Sequence, residues 1–366
     1  MKRILMGIIM DGKAGGIDKY MLNFFEKVHS DEIIIDFITN KIDKDLKKFL
    51  NDNNSELYEV PSLSNPVAQY ISISKLIKKN NYDTVYFNIS TAISFIGPLA
   101  AKICKVKKVI IHSHTSGIDS ANRKKRMIMT FINNVCKTIL YKFGTNYYAC
   151  SHIAGEWIFP KKISSCEKLV IINNAIDVSK FAFDNSTRLK IRNELSIETK
   201  FVIGHIGNFL YQKNHEFLID CFYNLLKINN NAILLLIGDG PLFNPIKEKV
   251  SNLGINDKVI FVGRVQNACD YLQAMDVFAF PSNFEGLGIV AVEAQAAGLK
   301  CILSDKVPKE AELTDNCVFL AINHENSANE WADCLNMYQS YVRSDESDNI
   351  SKKGYCLENQ KLDDWV

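Results

Sequence analysis

The chain has 366 residues, 47% hydrophobic, 23% charged and 10% aromatic, which excludes disordered, collagen-like and coiled-coil classes. At about 100–200 residues per domain, this length calls for two domains, each large enough for its own core. Net charge is +2, from 43 Lys+Arg against 41 Asp+Glu, which argues against a general nucleic-acid binder.

Met1-Lys2-Arg3 runs straight into a first apolar segment at 4–10, so no signal peptide is expected. Further short apolar runs follow at 33–38, 84–89, 108–112 and 169–172. A second series occupies 201–206, 232–237, 259–262, 277–280, 301–303 and 317–320. These runs are rich in Val, Ile and Phe and are continuous rather than alternating, as strands of a parallel sheet covered on both faces must be. Helix-like stretches lie between most of them, which predicts βαβ units and doubly wound sheets. A polar stretch, Asp184-Asn185-Ser186-Thr187-Arg188, separates the series. The expected architecture is α/β: two Rossmann-like doubly wound parallel-sheet domains, 1–180 and 195–340, facing a cleft. A polar tail at 341–366 is expected to pack back on the N-terminal domain.

Ten cysteines at 104, 136, 150, 166, 221, 269, 301, 317, 334 and 356 form no Cys-x-x-Cys pair, so neither a zinc site nor a disulfide framework is expected. The longest apolar candidate, 92–101, contains Gly97 and Pro98 and falls short of the ~20 residues that span a bilayer. A cytoplasmic protein is the expectation.

In parallel α/β sheets ligands bind at the carboxyl ends of strands, so the segments after each strand carry the functional reading. Gly12-Lys13-Ala14-Gly15-Gly16-Ile17-Asp18 follows the first strand; glycines there allow close backbone approach to a phosphate, although neither a Walker loop nor Gly-x-Gly-x-x-Gly is present. Asp43-Lys44-Asp45 matches a metal-binding Asp-x-Asp, but acids at a helix start also complement the helix dipole, and capping is the expectation. Residues 102–142 hold ten Lys or Arg and one acid, Asp119. Arg123-Lys124-Lys125-Arg126 opens an otherwise apolar stretch that reads either as a basic helix lying on anionic membrane or as a buried helix with a solvated basic start. His112-Ser113-His114-Thr115-Ser116 and Gly207-Asn208-Phe209-Leu210-Tyr211-Gln212-Lys213-Asn214-His215 each follow a strand. Gly238-Asp239-Gly240-Pro241 reads as a structural turn.

The most informative segment is Pro281-Ser282-Asn283-Phe284-Glu285-Gly286-Leu287-Gly288, continuing through Glu293 to Gly298. It reads strand, glycine-containing turn, helix from about Leu287, and glycine stop. The turn Gly286-Leu287-Gly288 brings backbone N–H groups and a helix N-terminus to a ligand phosphate or sugar oxygen. Glu285 and Glu293 can each accept hydrogen bonds from vicinal hydroxyls, as acids do at ribose sites.

This segment resembles the Glu-x7-Glu signature of the family 4 retaining glycosyltransferases, which have the GT-B fold. The resemblance implies that Glu285 contacts the donor sugar and Glu293 the nucleotide ribose. It further implies that Gly15 and Gly16 close over the donor diphosphate, that His114 contacts the transferred sugar (His112, two residues earlier, falling in the strand), and that Lys213 grips the diphosphate. The family's arginine partner to that lysine is Asn208 here, an uncharged donor. Arg264 falls where the family packs the base. The second half and the length resemble bacterial capsule and exopolysaccharide enzymes.

What the resemblance implies is a retaining hexosyltransferase. It would move a sugar from a nucleotide-diphosphate sugar, UDP-sugar first, to a lipid-linked saccharide acceptor, with no metal and no further cofactor. It would work in the cytoplasm or on the inner face of the plasma membrane, with 102–142 as the membrane contact. Two other readings stay open. One is a sugar-nucleotide epimerase or phosphorylase of the same fold; the other, kept alive by Asn208, is a non-catalytic nucleotide-sugar-binding subunit of a two-protein transferase.

Overall fold

The computed structural model describes residues 2–12 and 15–360. Lys13 and Ala14 of the glycine-rich loop, and 361–366 of the tail, lie outside the described residues. The chain divides into two units. The first comprises residues up to Ile118, then Lys124–Asn174, and Gln360; the second comprises Asp119–Arg123 and Ala175–Asn359.

The first unit runs β1 (Lys2–Gly7), α1 (Gly15–Val28), β2 (Ile33–Thr39), α2 (Lys44–Asp52), β3 (Leu57–Glu59), α3 (Pro66–Asn80), β4 (Thr84–Ile89), α4 (Ile96–Ile103), β5 (Lys108–Ser113), α5 (Arg123–Leu140), β6 (Asn146–Ala149), α6 (His152–Ile158), α7 (Lys161–Ser164) and β7 (Leu169–Ile171). Its seven strands are all parallel, in the order β3-β2-β1-β4-β5-β6-β7. The order reverses between β1 and β4. One side of this sheet carries a core built from Ile73 and Ile77 of α3, Ala100 and Ala101 of α4, Cys136 and Leu140 of α5 and Ile158 of α6, packed on Val85, Phe87, Val109 and Ile111.

The second unit runs α8 (Asn185–Glu194), β8 (Phe201–Ile206), α9 (His215–Ile228), β9 (Ala232–Ile237), α10 (Phe243–Asn252), β10 (Val259–Gly263), α11 (Ala268–Ala274), β11 (Val277–Phe280), α12 (Ile289–Ala296), β12 (Lys300–Ser304), β13 (Cys317–Leu320), α13 (Ser327–Asn336) and α14 (Ser347–Lys352). Its six parallel strands are ordered β10-β9-β8-β11-β12-β13, with the reversal between β8 and β11. Every residue of β9 is buried, the signature of a strand covered on both faces.

Two doubly wound parallel sheets are thus present, as the alternating apolar runs require. Strands β3 and β6 carry no apolar run in the sequence; they pair at Phe37↔Leu57 and Ile111↔Tyr147 because their neighbours offer open edges. The first strand ends at Gly7 rather than Met10, whose amide is instead held by Asp18. Asp43 caps α2, its Oδ1 accepting from Leu46 N at 2.9 Å, so the Asp-x-Asp is a helix start.

The main run of the first unit ends at Asn174 rather than 180, and the tail is divided: its residues up to Asn359 belong to the second unit and Gln360 to the first. Arg343 donates to the carbonyls of Leu272 and Gln273 at 3.0 Å, and Ile176 pairs with Cys356. Within the first unit, Gln360 Nε2 donates to Asn173 O at 2.6 Å. Beside Arg343, Asp276 at the entry to β11 takes Arg188 and Arg192 of α8, each at 2.5 Å, and the amide of Val202 at 2.8 Å. One carboxylate therefore ties α8, β8 and β11 together.

Candidate functional site

In a doubly wound sheet the connections on either side of the reversal leave in opposite directions and open a crevice at the strand ends. In the second unit those ends belong to β8 and β11. The segments that follow them are 207–215 and 281–288, the two that carry Lys213 and Glu285.

The β8 exit turns tightly. Gly207 N donates to Ile237 O, and Phe209 N to Asp239 O, both at 2.9 Å. A Cβ at Gly238 would lie 2.1 Å from Gly207 O, and its φ of +140° is one side chains rarely adopt, so the Gly238 turn has the structural role read from its sequence. The chain then makes a single 3-10 turn, Tyr211–Lys213, and Asn214 enters the left-handed region with φ +55° before α9 begins. Asn214 Nδ2 donates to Pro281 O at 3.1 Å, and Asn283 bridges back through its N to Gln212 O and its Nδ2 to Tyr211 O, both at 2.7 Å. These bonds lock the two strand exits together.

At their junction Lys213 Nζ lies 2.6 Å from Glu285 Oε1. Gln212 Nε2 donates to the other carboxylate oxygen at 2.9 Å. The ammonium also sits 4.6 Å from the centroid of the Phe280 ring, a cation–π contact. Side-chain exposure is 16% for Lys213 and 5% for Glu285. A buried carboxylate held at both oxygens, beside an ammonium, is fixed in orientation. Asp119 Oδ1, the lone acid of the 102–142 stretch, accepts from Gln212 N at 3.0 Å.

After Glu285 the chain passes Gly286 and Leu287 to Gly288, which caps α12 with φ +85°. A Cβ there would meet Phe280 Cε1 at 3.0 Å, so glycine is required where the turn passes over Phe280. The helix begins at Ile289, two residues later than the spacing suggests, and Val290 through Ala296 are all buried rather than presenting one apolar face. Gln295 explains part of this: its Oε1 accepts from Leu313 N and Thr314 N, satisfying a neighbouring loop inside the core. Leu287 has its side chain in the core, so only its backbone is available to a ligand. Glu293 is buried on α12, two turns beyond Glu285. Asn208 is exposed on the β8 exit loop, and Arg264 is exposed directly after β10.

In the first unit the reversal lies between β1 and β4. Asp18 of α1 is buried, and its carboxylate accepts from the backbone amides of Met10, Asp11 and Gly12 at 2.9–3.2 Å. Burial pushes this carboxyl above its ordinary value, against the pull of the three amides. The amides of 10–12 are therefore committed to the protein's own acid. Gly15 and Gly16, both exposed, open α1 and are the part of the glycine-rich loop presented at its surface.

Next to this loop, His112 lies in β5 and His114 follows it. Their rings are 3.9 Å apart, and Tyr20 of α1 lies 5.1 Å from His114. His114 Nε2 pairs with Asn88 Oδ1 at 2.8 Å, which leaves Nδ1 as the acceptor of a neutral ring. His112 Nδ1 bonds Tyr86 OH at 2.9 Å, and Tyr86 bonds Tyr20 OH at 2.8 Å. Burial lowers the His114 pKa to about 3 and holds His112 well below its usual value. Among the described residues, His114 Nδ1 has no hydrogen-bond partner in the protein.

The structure thus brings Lys213 and Glu285 into contact and places Gly286–Gly288 directly beside them. Residues the sequence reading missed are Gln212, signalled only by its place next to Lys213, and Asn88, Tyr20 and Asp18, whose roles depend on strand order. Among the described residues no group of three His, Cys, Asp or Glu side chains is placed to hold a metal ion. No helix among them is long and apolar enough to cross a membrane.

Residues 187–346 match the family model described as glycosyl transferases group 1, and 14–147 match the model described as glycosyl transferase 4-like. The chain is 29% identical over 317 residues to the putative glycosyltransferase EpsF of Bacillus subtilis, covering 85% of this chain and 81% of that protein. It is 26% identical over 302 residues to an Escherichia coli UDP-Gal:alpha-D-GlcNAc-diphosphoundecaprenol alpha-1,3-galactosyltransferase, covering 79% and 76%. Among solved structures, Anabaena Alr3699/HepE in complex with UDP-glucose superposes with a TM-score of 0.77 at 18% identity, over 100% of this chain and 98% of that one.

Proposed function

Because the chain belongs to the glycosyltransferases of GT-B fold, group 1 in its second unit and 4-like in its first, we propose that it transfers a sugar, with retention of anomeric configuration, from a UDP-sugar to a lipid-linked saccharide acceptor in capsule or exopolysaccharide synthesis. The observation that carries this reading is the Gln212–Lys213–Glu285 contact at the β8/β11 reversal. Support for the donor comes from the HepE complex with UDP-glucose, and support for both donor and acceptor from the galactosyltransferase whose name specifies UDP-Gal and a diphosphoundecaprenol-linked sugar.

In this reading Lys213 stabilises the negative charge that grows on the leaving diphosphate, together with the backbone N–H groups of Gly286–Gly288 at the start of α12. Glu285, held by Lys213 and Gln212, orients the donor sugar through its hydroxyls. Glu293 accepts from the ribose hydroxyls, and Arg264 packs near the base. Gly15 and Gly16 approach the diphosphate. His114, neutral at physiological pH, offers Nδ1 to a sugar hydroxyl. Asn208 supplies a neutral hydrogen bond where a charged one would bind the diphosphate more strongly. No protein nucleophile is required if the leaving phosphate assists deprotonation of the acceptor. The enzyme works in the cytoplasm, at the membrane that holds its acceptor.

The test is a panel of UDP-, GDP- and ADP-sugars scored for protection against thermal unfolding and for transfer to undecaprenyl-diphosphate-linked sugars. UDP-sugars are expected to protect and to be consumed only with acceptor present. Consumption without acceptor points to an epimerase or phosphorylase, and protection without turnover unless a second protein is added points to a binding subunit.

A further inference from the structure

We propose that Asn88 is a positioning residue for sugar transfer: its amide oxygen holds the His114 imidazole as the Nε2–H tautomer, so that Nδ1 meets the sugar as a hydrogen-bond acceptor only. This rests on the reading of His114 as a sugar contact and adds the group that decides what His114 can contact. Asn88 lies in β4 and His114 follows β5. The two strands are parallel, with Asn88 opposite His112, and His114 N donates to Ile89 O at 3.2 Å. With a strand period of two, residues 112 and 114 share a face, and Asn88 falls on it too. Strand register thus brings His114 Nε2 to 2.8 Å from Asn88 Oδ1.

Packing and hydrogen bonding fix different properties of this ring. His114 lies 3.9 Å from the His112 ring and 5.1 Å from the ring of Tyr20 on α1. His112 is itself pinned, Nδ1 to Tyr86 OH at 2.9 Å and Tyr86 OH to Tyr20 OH at 2.8 Å. These contacts place the His114 ring but are blind to which nitrogen carries its proton. Asn88 makes that choice. A ring nitrogen facing a carbonyl oxygen must carry N–H, and in a neutral imidazole the other nitrogen is then an acceptor. Burial keeps the ring neutral. Among the described residues, Asn88 Nδ2 and His114 Nδ1 have no partner, which leaves one donor and one acceptor open on a bonded pair. Sugar hydroxyls, which both donate and accept, satisfy such a pair. A phosphate oxygen does not, because it brings no proton to Nδ1.

The experiment is nitrogen NMR of the full chain carrying isotope-labelled histidine, with the His114 signals identified by their loss in His114→Gln, alongside kcat/KM for transfer. The wild type should show the Nε2–H tautomer. Asn88→Ala should show a mixture with Nδ1–H and lose about tenfold in kcat/KM, the worth of one hydrogen bond. Asn88→Asp keeps an oxygen toward Nε2 and should restore the Nε2–H signature and most of the rate at about pH 8. It should also add a loss of rate as pH falls, because a carboxylate favours the imidazolium, which has no acceptor nitrogen. The other titratable groups facing His114, His112 and Tyr20, are held neutral by burial and do not supply that limb. An Nδ1–H tautomer in the wild type overturns the proposal, as does an Asn88→Ala variant with the wild-type tautomer or the wild-type rate. If Asn88→Ala does not fold, the wild type and Asn88→Asp decide by the same signatures. A wild type that shows the Nε2–H tautomer but transfers no sugar refutes the transferase reading instead, and the tautomer assignment to Asn88 stands.

Discussion

Replacing Glu285 with Gln separates the charge of that side chain from its shape. The carboxylate lies 2.6 Å from Lys213 Nζ and 2.9 Å from Gln212 Nε2. Breaking a buried ion pair by removing one partner costs about 3–5 kcal/mol. Lys213 keeps some contact with water and rests over Phe280, so a cost at or just below the bottom of that range, about 2–3 kcal/mol, is expected. For a unit of this size that lowers Tm by about 5–10 °C. The functional effect divides differently. Lys213 loses its internal anion and becomes more available to a diphosphate, so UDP affinity should hold or rise. Orientation of the sugar should fail, and kcat should fall by about 10²–10³. Calorimetric titration with UDP and single-turnover transfer read the two effects separately. A variant whose UDP affinity falls in step with its kcat, or whose kcat is unchanged, refutes the assigned roles of this pair.

Three further outcomes are expected. Asp276→Ala strands Arg188 and Arg192 without their shared carboxylate and should cost about 3 kcal/mol in urea unfolding; a loss below about 1 kcal/mol would mean the cluster is screened by solvent. His114 has a folded pKa of about 3 and His205 one of about 4, both lowered by burial, whereas an unfolded His titrates near 6.5. The unfolded state therefore binds more protons below that value, and stability should be full above about pH 6.5 and fall as pH drops, by about 1.4 kcal/mol per pH unit for each such group down to its folded pKa. His114→Gln should flatten the urea-midpoint profile between pH 6 and 4, and an unchanged slope would contradict the buried neutral ring. Asn208→Arg should tighten UDP by about tenfold through a charge-assisted bond to the diphosphate, and unchanged affinity would place that loop away from the phosphates.

Much of the fold was legible because buried parallel strands are written as unbroken apolar runs: Ala232–Ile237 is buried throughout and was marked to the residue. Strands β3 and β6 were not legible, since Leu57-Tyr58-Glu59 and Asn146-Tyr147-Tyr148-Ala149 form strands only because a neighbour's edge accepts them. Lys213 and Glu285 were legible as residue types after strands. Their contact was not, because it depends on β8 lying beside β11, a property of strand order. Asp18 reads in the sequence as an acid near a phosphate loop, yet in the structure it takes the amides of residues 10–12 for itself. The division of the tail was not legible, because Arg343 holds its first part to the second unit through backbone carbonyls, which leave no mark in composition.

The central claim is that Lys213 and Glu285 form a centre for sugar transfer from a nucleotide-diphosphate donor held by protein groups alone. It is tested most directly by measuring transfer from UDP-sugars to a lipid-linked acceptor for the wild type, Lys213→Ala and Glu285→Ala side by side in excess chelator. The account expects a wild-type rate untouched by the chelator and loss of transfer in both folded variants. Near-wild-type turnover in the variants, or a wild type silenced by chelation and restored by magnesium or manganese, would contradict it.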